Sequence, residues 1–426
     1  MKFVKRVLAV ACLGVVAMAS QAQEVTLKVH HFLGPQSTQQ ADMLGPWCDK
    51  LAKESANKLK CQIYPSMQLG GSPPQLYDQA KDGVADVVWT VAGYSAGRFP
   101  KIEVFELPFM MTNAEATSRA AWEYYDKYDR DEFKDTHILA VHVHGPGNIY
   151  TANKPIKTMA DFKGLKLRAP TRLTNKMLAM MGATPVGMPV PAVPEALSKG
   201  VIDGAVIPYE VAPSIKVNEL TKYTAETDRK FNALYTTVFV VAMNKAKYES
   251  LTPEQKKVLD ANSGADFSAF MGKTQEAADV PGKAQMLKSG SQITVIPGPE
   301  LDKWKKATDT LGEQWAADIT AKAIDYTLKR WGALIMHGSD ARIPVDNNAV
   351  ENMMRPIALG RKNWLFIGSQ QAGERAAILM SLIESAKLNG HDAWAYLKDV
   401  LTKLPTWPNS RLEELLPHRW VAPSST

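Results

Sequence analysis

The sequence predicts a two-lobed α/β protein followed by a mostly helical segment of a different kind. Three observations carry that prediction. Strand-like and helix-like stretches alternate from Val25 to Ile319, the rhythm of sheets flanked by helices. The N-terminus has the order of an export signal. Near residue 321 the rhythm stops, and sequence of another character runs to the end.

The chain has 426 residues, 45% of them hydrophobic and 22% charged, the balance of an ordinary globular protein with room for two or three domains. Its net charge of +6 is too weak at this length to indicate a nucleic-acid binder by itself. Lys2, Lys5 and Arg6 precede an apolar run from Val7 to Ala19, and small residues continue through Ala22. That order marks residues 1–22 as a secretory signal, since a run of about 13 is too short to span a bilayer. The expected location is the periplasm. Cys12 leaves with the signal. Cys48 and Cys61 remain, and in an oxidising compartment they can close one small loop; two unpaired buried thiols are the alternative.

Taken in order, Val25–His30 alternates as a strand and feeds a turn-rich loop from His31 to Ser37. A helix is expected over Thr38–Ala56, a short strand at Gln62–Tyr64, a helix at Gln75–Gly83 and a buried strand at Ala85–Thr90. The βαβαβ order predicts a parallel sheet. The pattern resumes with strands at Ile138–His142 and Leu165–Arg168, helices at Asn175–Met181 and Pro194–Lys199, and a strand at Ala205–Ile207. A long strand at Tyr235–Met243 and helices across Pro253–Ala277 and Pro299–Ile319 complete it. Residues 23–321 thus suit two lobes around a cleft, with ligand sites at the carboxyl ends of strands.

Several motifs in order narrow this further. Leu69-Gly70-Gly71, Gly83-Val-Ala-Asp86 and Phe105-Glu-Leu-Pro-Phe109 are followed by Asp161-Phe-Lys-Gly-Leu-Lys-Leu-Arg168 and Gly182-Ala-Thr-Pro-Val186. Ala196-Leu-Ser-Lys-Gly-Val-Ile-Asp-Gly204, Met243-Asn-Lys and Leu251-Thr-Pro-Glu-Gln continue the series. This set resembles the solute-binding proteins of tripartite ATP-independent periplasmic (TRAP) transporters, from the signal to about Thr320. The resemblance implies a periplasmic receptor, not an enzyme, that closes on an organic acid and delivers it to membrane permease subunits, with no cofactor. It places the family's carboxylate-binding arginine at Arg168, whose planar guanidinium offers two parallel donors.

The position of a second arginine found in some members is Asn148 here, and Val206-Ile207-Pro208-Tyr209 replaces the asparagine-bearing turn of members that grip sugar acids. His31, Phe32, Trp89, Tyr94, Phe109 and Tyr209 are the remaining cleft candidates. Aromatic walls with one arginine suit an aromatic or 2-oxo monocarboxylate better than a polyol. His30, His31, His142 and His144 suggest a metal, but pairs one or two apart on strands make no closed ligand set, so no metal is expected.

After Ala321 the motifs are Pro344-Val-Asp-Asn-Asn-Ala-Val-Glu-Asn352, Arg355-Pro-Ile-Ala-Leu-Gly-Arg-Lys-Asn-Trp-Leu-Phe366, Gly373-Glu-Arg-Ala-Ala377 and Leu412-Glu-Glu-Leu-Leu-Pro417. Residues 322–426 resemble the C-terminal end of IS66-family transposases. That family has a ribonuclease-H-like fold in which three carboxylates hold two metal ions. Glu351 matches the third carboxylate; the two aspartates belong upstream, where this chain carries receptor sequence. The domain is therefore expected to be incomplete and inactive, without functional nucleic-acid binding, and Arg355, Arg361 and Lys362 to form a solvated basic face. The apolar faces at Leu379, Leu382, Ile383, Leu397 and Leu401 are expected to lack partners. The rival reading, a DNA-processing enzyme whose receptor part is accidental, is opposed by the missing aspartates and by the signal.

Overall fold

A computed structural model describes residues 24–329, 382–383, 385–404 and 407–421. Residues 1–22, Glu351, Leu379 and the basic positions Arg355, Arg361 and Lys362 lie outside the described residues. Contacts divide the chain into Met1–Ala323 and Ile324–Thr426.

The first unit begins with β1 (Val25–His30), α1 (Gly45–Glu54), β2 (Leu59–Tyr64), α2 (Leu76–Asp82), β3 (Val87–Val91), α3 (Ala114–Tyr124) and β4 (Thr136–Val143). The chain then builds β5 (Gly147–Thr151), β6 (Lys166–Ala169), α4 (Arg172–Met180), β7 (Thr184–Gly187), α5 (Val193–Ser198), β8 (Gly204–Pro208), α6 (Val217–Leu220) and β9 (Tyr223–Thr227). It returns through β10 (Val238–Asn244), α7 (Lys245–Glu249), α8 (Pro253–Ala261), α9 (Ala265–Ala277) and α10 (Asp279–Lys288). β11 (Gln292–Ile296), α11 (Gly298–Thr308) and α12 (Thr310–Lys329) follow.

Two sheets result, ordered β2-β1-β3-β10-β4 and β11-β9-β5-β8-β6-β7. Neither is purely parallel as the sequence suggested. β10 runs antiparallel to both β3 and β4, and β5 runs antiparallel to β8 and β9. The reason is connectivity: each of these strands returns from the other lobe, so it enters its sheet from the opposite end. β5 escaped notice because Gly145-Pro-Gly147 reads as a turn. Gly147 is nevertheless strand, and the position admits no larger residue because a Cβ would fall within the Tyr235 ring.

One core cluster fills the first lobe and also takes in Tyr150, Ala205 and Ile207 of the second, and another lies within the second lobe. Strands that are buried throughout, such as β3 and β8, explain the near-continuous apolar runs there. In the first lobe Phe99 and Phe133 stack at 4.2 Å, with Tyr77 edge-on. In the second, Phe162 meets Trp304 edge-on at 5.2 Å. α1 is tied to β2 by a Cys48–Cys61 disulfide with Cα atoms 5.6 Å apart. No helix among the described residues is long and apolar enough to cross a membrane.

In the second unit, the helix α13 (Ala393–Lys403) starts at Asp392, whose carboxylate accepts from the Ala395 N–H at 2.7 Å. Ala386, Tyr396, Val400, Leu415 and Trp420 form a small core against which Leu382 and Leu397 pack. This corrects the expectation that those faces lack partners. Tyr396 and Trp420 supply the bulk and each finds a hydrogen bond, to the Leu415 carbonyl and to Asp399 respectively. Leu401, at 54% exposure, stays uncovered.

Candidate functional site

The lobes enclose a mostly apolar cavity at the carboxyl ends of β3, β6 and β8. Arg168 reaches it from the end of β6, buried at 3% exposure. Two carbonyls fix its guanidinium: Nε donates to Met188 at 2.9 Å and Nη1 to Val206 at 3.1 Å. Nη2 is buried with no hydrogen-bond partner. A guanidinium held this way still has both N–H groups of Nη2 to offer, and leaving them unpaired is costly.

Aromatic rings form the walls. Phe32 stacks on Trp89 at 5.0 Å, Trp89 stacks on Phe239 at 4.7 Å, and Tyr94 tilts against Phe32. The Trp89 Nε1–H donates to His142 at 2.8 Å, which holds the indole plane. Val190 N–H, from the second lobe, donates to the Tyr94 hydroxyl at 2.9 Å. Where the lobes meet, Gly93 lies so close to Thr171 that an added Cβ would stand 2.5 Å from its methyl group. Arg172 Nε also donates to the buried Glu103 at 2.7 Å.

Of the residues singled out from sequence, Phe32, Trp89, Tyr94 and Arg168 share this cavity. Four others are placed elsewhere. His31 sits behind the wall, its Nε2 3.0 Å from Gln40 Oε1 and its Nδ1 accepting from the Leu33 N–H. Asn148 turns its amide to the Pro146 carbonyl, and Tyr209 donates to Glu226 at 2.9 Å; both line a separate polar pocket. Phe109, at a positive φ of 58°, is directed onto the second lobe's core.

His144, weighed from sequence only as a metal ligand, lines the cavity, as do Tyr235, Thr237, Phe239, Gln39, Glu210 and Gln275, which sequence reasoning passed over. Alternation along Tyr235–Phe239 was a usable signal for three of them. Gln275, in the last turn of α9, gave none. Among the described residues no group of three or more His, Cys, Asp or Glu side chains could hold a metal ion. His142 is taken by Trp89, and His30 Nδ1 lies 2.7 Å from Gln79 Oε1.

Burial sets the protonation of the groups around the site. It pulls the imidazoles of His31, His142 and His144 down to about 4, 3 and 4, with the Arg168 cation adding to the effect at His144. It pushes the carboxyls of Glu106 and Glu210 up to about 8 and 7, and, away from the site beside Lys101 and Glu132, that of Asp129 to about 8. Below 6.5 the unfolded histidines bind protons that the folded ones refuse, so their contribution is lost as pH falls. Above the ordinary carboxylate range the folded acids keep protons that the unfolded ones release, so that contribution is lost as pH rises towards 8. Stability should therefore be highest between roughly pH 4.5 and 6.5. Urea denaturation should give a lower midpoint at about pH 8.5 than at pH 5.5; a higher one would contradict this balance.

The comparisons agree with this architecture. Residues 29–318 match the family described as bacterial extracellular solute-binding protein, family 7. Residues 299–375 match the transposase IS66 family and 381–418 the IS66 C-terminal element. A TRAP solute-binding protein from Rhodoferax ferrireducens, solved with copurified benzoate, is 54% identical with a TM-score of 0.70, over 70% of this chain and 93% of its own. A marine metagenome TRAP protein specific for aromatic acids, solved with 3-hydroxybenzoate, is 48% identical with a TM-score of 0.70, over 71% and 94%. The outer membrane transporter protein TsaT of Comamonas testosteroni is 24% identical over 76% of this chain and 95% of its own length.

The C-terminal part is 44% identical to a Sinorhizobium fredii protein, y4hP, over 102 residues, only 18% of that protein. Receptor fold and transposase-like end thus occupy successive parts of one sequence. The chain belongs to the bacterial extracellular solute-binding proteins of family 7, of the TRAP type, and carries a fragment of an IS66-family transposase at its C-terminal end.

Proposed function

We propose that this protein is a periplasmic receptor whose lobes close on a small aromatic monocarboxylate and deliver it to a TRAP-type membrane permease. The buried Nη2 of Arg168, without a partner in an aromatic-walled cavity, carries the reading. A carboxylate would satisfy that donor, and stacked rings would accept a flat apolar body. Relatives solved with benzoate, 3-hydroxybenzoate and mandelate support the ligand class. Residues 1–22 serve as the export signal in this reading.

A thermal-shift screen of the exported chain tests it. An aromatic acid present at 100 times its Kd should stabilise the protein by about 2.7 kcal/mol, whereas sialic acid and galacturonate should not. If the sugar acids shift the transition and aromatic acids leave it unmoved, the proposal fails.

The transposase-like end adds no catalysis in this reading. Two-metal phosphoryl transfer needs several acidic ligands, and Glu351 is the only member of the set present. Purified protein should neither nick nor join DNA with magnesium or manganese. Metal-dependent nicking that disappears in Glu351→Ala would restore the enzyme reading.

A further inference from the structure

The cavity has a polar corner that the carboxylate reading leaves unused. Gln39 Nε2 and Gln275 Nε2 both donate to Glu210 Oε1, at 2.8 and 2.7 Å. Chemistry fixes the orientation of both amides, because turning either would set a carbonyl against a carboxylate oxygen. Three acceptors are then left buried without a donor: Gln39 Oε1, Gln275 Oε1 and Glu210 Oε2. Gln39 is fully buried, Gln275 is 1% exposed and Glu210 8%. The Glu210 N–H donates to Asp279 at 2.9 Å, so the main chain holds the carboxylate in place.

Buried acceptors are normally satisfied, and three together lacking a donor mark a place for one. We infer that the ligand carries, besides its carboxylate, a hydroxyl that donates to Glu210, making Glu210 the residue that selects hydroxylated aromatic acids. The inference rests on the receptor reading above. A neutral hydroxyl is favoured over an ammonium because the similar proteins were solved with benzoate and 3-hydroxybenzoate, acids that carry no amine. Burial lifts the Glu210 carboxyl to about 7, and hydrogen bonds to an ionised acceptor are the stronger kind, so the preference should be largest above that pH, where the calorimetry is run.

Calorimetry on the full exported chain decides the matter, using benzoate, the three hydroxybenzoates and the three matching methylbenzoates. At least one hydroxy isomer should bind about tenfold tighter than its methyl counterpart, a difference of about 1.4 kcal/mol. Glu210→Gln keeps an oxygen for the two glutamines but presents an NH2 to the ligand, and should cut that preference at least threefold. Methyl isomers binding as well as hydroxy isomers at every position would overturn the inference without needing any variant. An undiminished preference in Glu210→Gln would also overturn it. In either case, benzoate binding that depends on Arg168 would leave the receptor proposal standing. Failure of every acid in the set to bind removes both.

Discussion

Replacing Arg168 by alanine should weaken binding of an aromatic acid by about 100-fold or more. The side chain is 3% exposed and the ligand carboxylate would be its partner in a desolvated cavity. Removing one member of such a pair leaves the other buried and uncompensated, which costs on the order of 3–5 kcal/mol, against about 1.4 kcal/mol per tenfold in affinity. Arg168→Lys should recover only part of the loss. A lysine keeps the charge but cannot hold the Met188 and Val206 carbonyls while also presenting a further donor in the same plane. Calorimetry with benzoate reads both variants. Arg168→Ala binding within threefold of the wild type would remove Arg168 from the site.

Gly93→Val should weaken ligand binding by roughly tenfold while leaving the unliganded protein nearly as stable as the wild type. The first added carbon would stand 2.5 Å from the Thr171 methyl and 2.9 Å from its Cβ, and Thr171 is itself buried, so neither side has room to yield. Gly93 follows the first lobe's β3, and Thr171 follows the second lobe's β6. Overpacking of this kind costs typically 1–3 kcal/mol. Here the cost falls on lobe closure, which the unliganded protein can avoid by staying open. A large drop in melting temperature without ligand, or unchanged affinity, would show that this contact does not govern closure.

The lobes and most elements were legible because period-2 and period-3.6 patterns report burial directly. Val25–His30 is the strand expected, and Arg168 stood out because it falls where the resembled family carries its carboxylate-binding arginine. Strand direction was not legible. Whether β10 runs with or against its neighbours depends on which lobe the chain comes from, and no local pattern encodes that. The cavity was read from residues at strand ends, which found Phe32, Trp89 and Tyr94. The same rule drew in Asn148, Tyr209 and Phe109, whose side chains turn to Pro146, Glu226 and the second core. Gln39 and Gln275 reach the cavity from a helical turn and a long helix, where polar residues ordinarily signify solvent.

The position of β10 between β3 and β4 has a consequence for synthesis. A nascent chain cannot complete its first sheet until residue 244 has emerged, and the second waits for β11 to end at Ile296. Until then β3 and β4 have no strand between them, and pairing over such sequence separations is slow. Both sheets are also complete before residue 299, where the transposase match begins. Foreign sequence joined to this receptor therefore leaves the ribosome only after every strand of both sheets has been made.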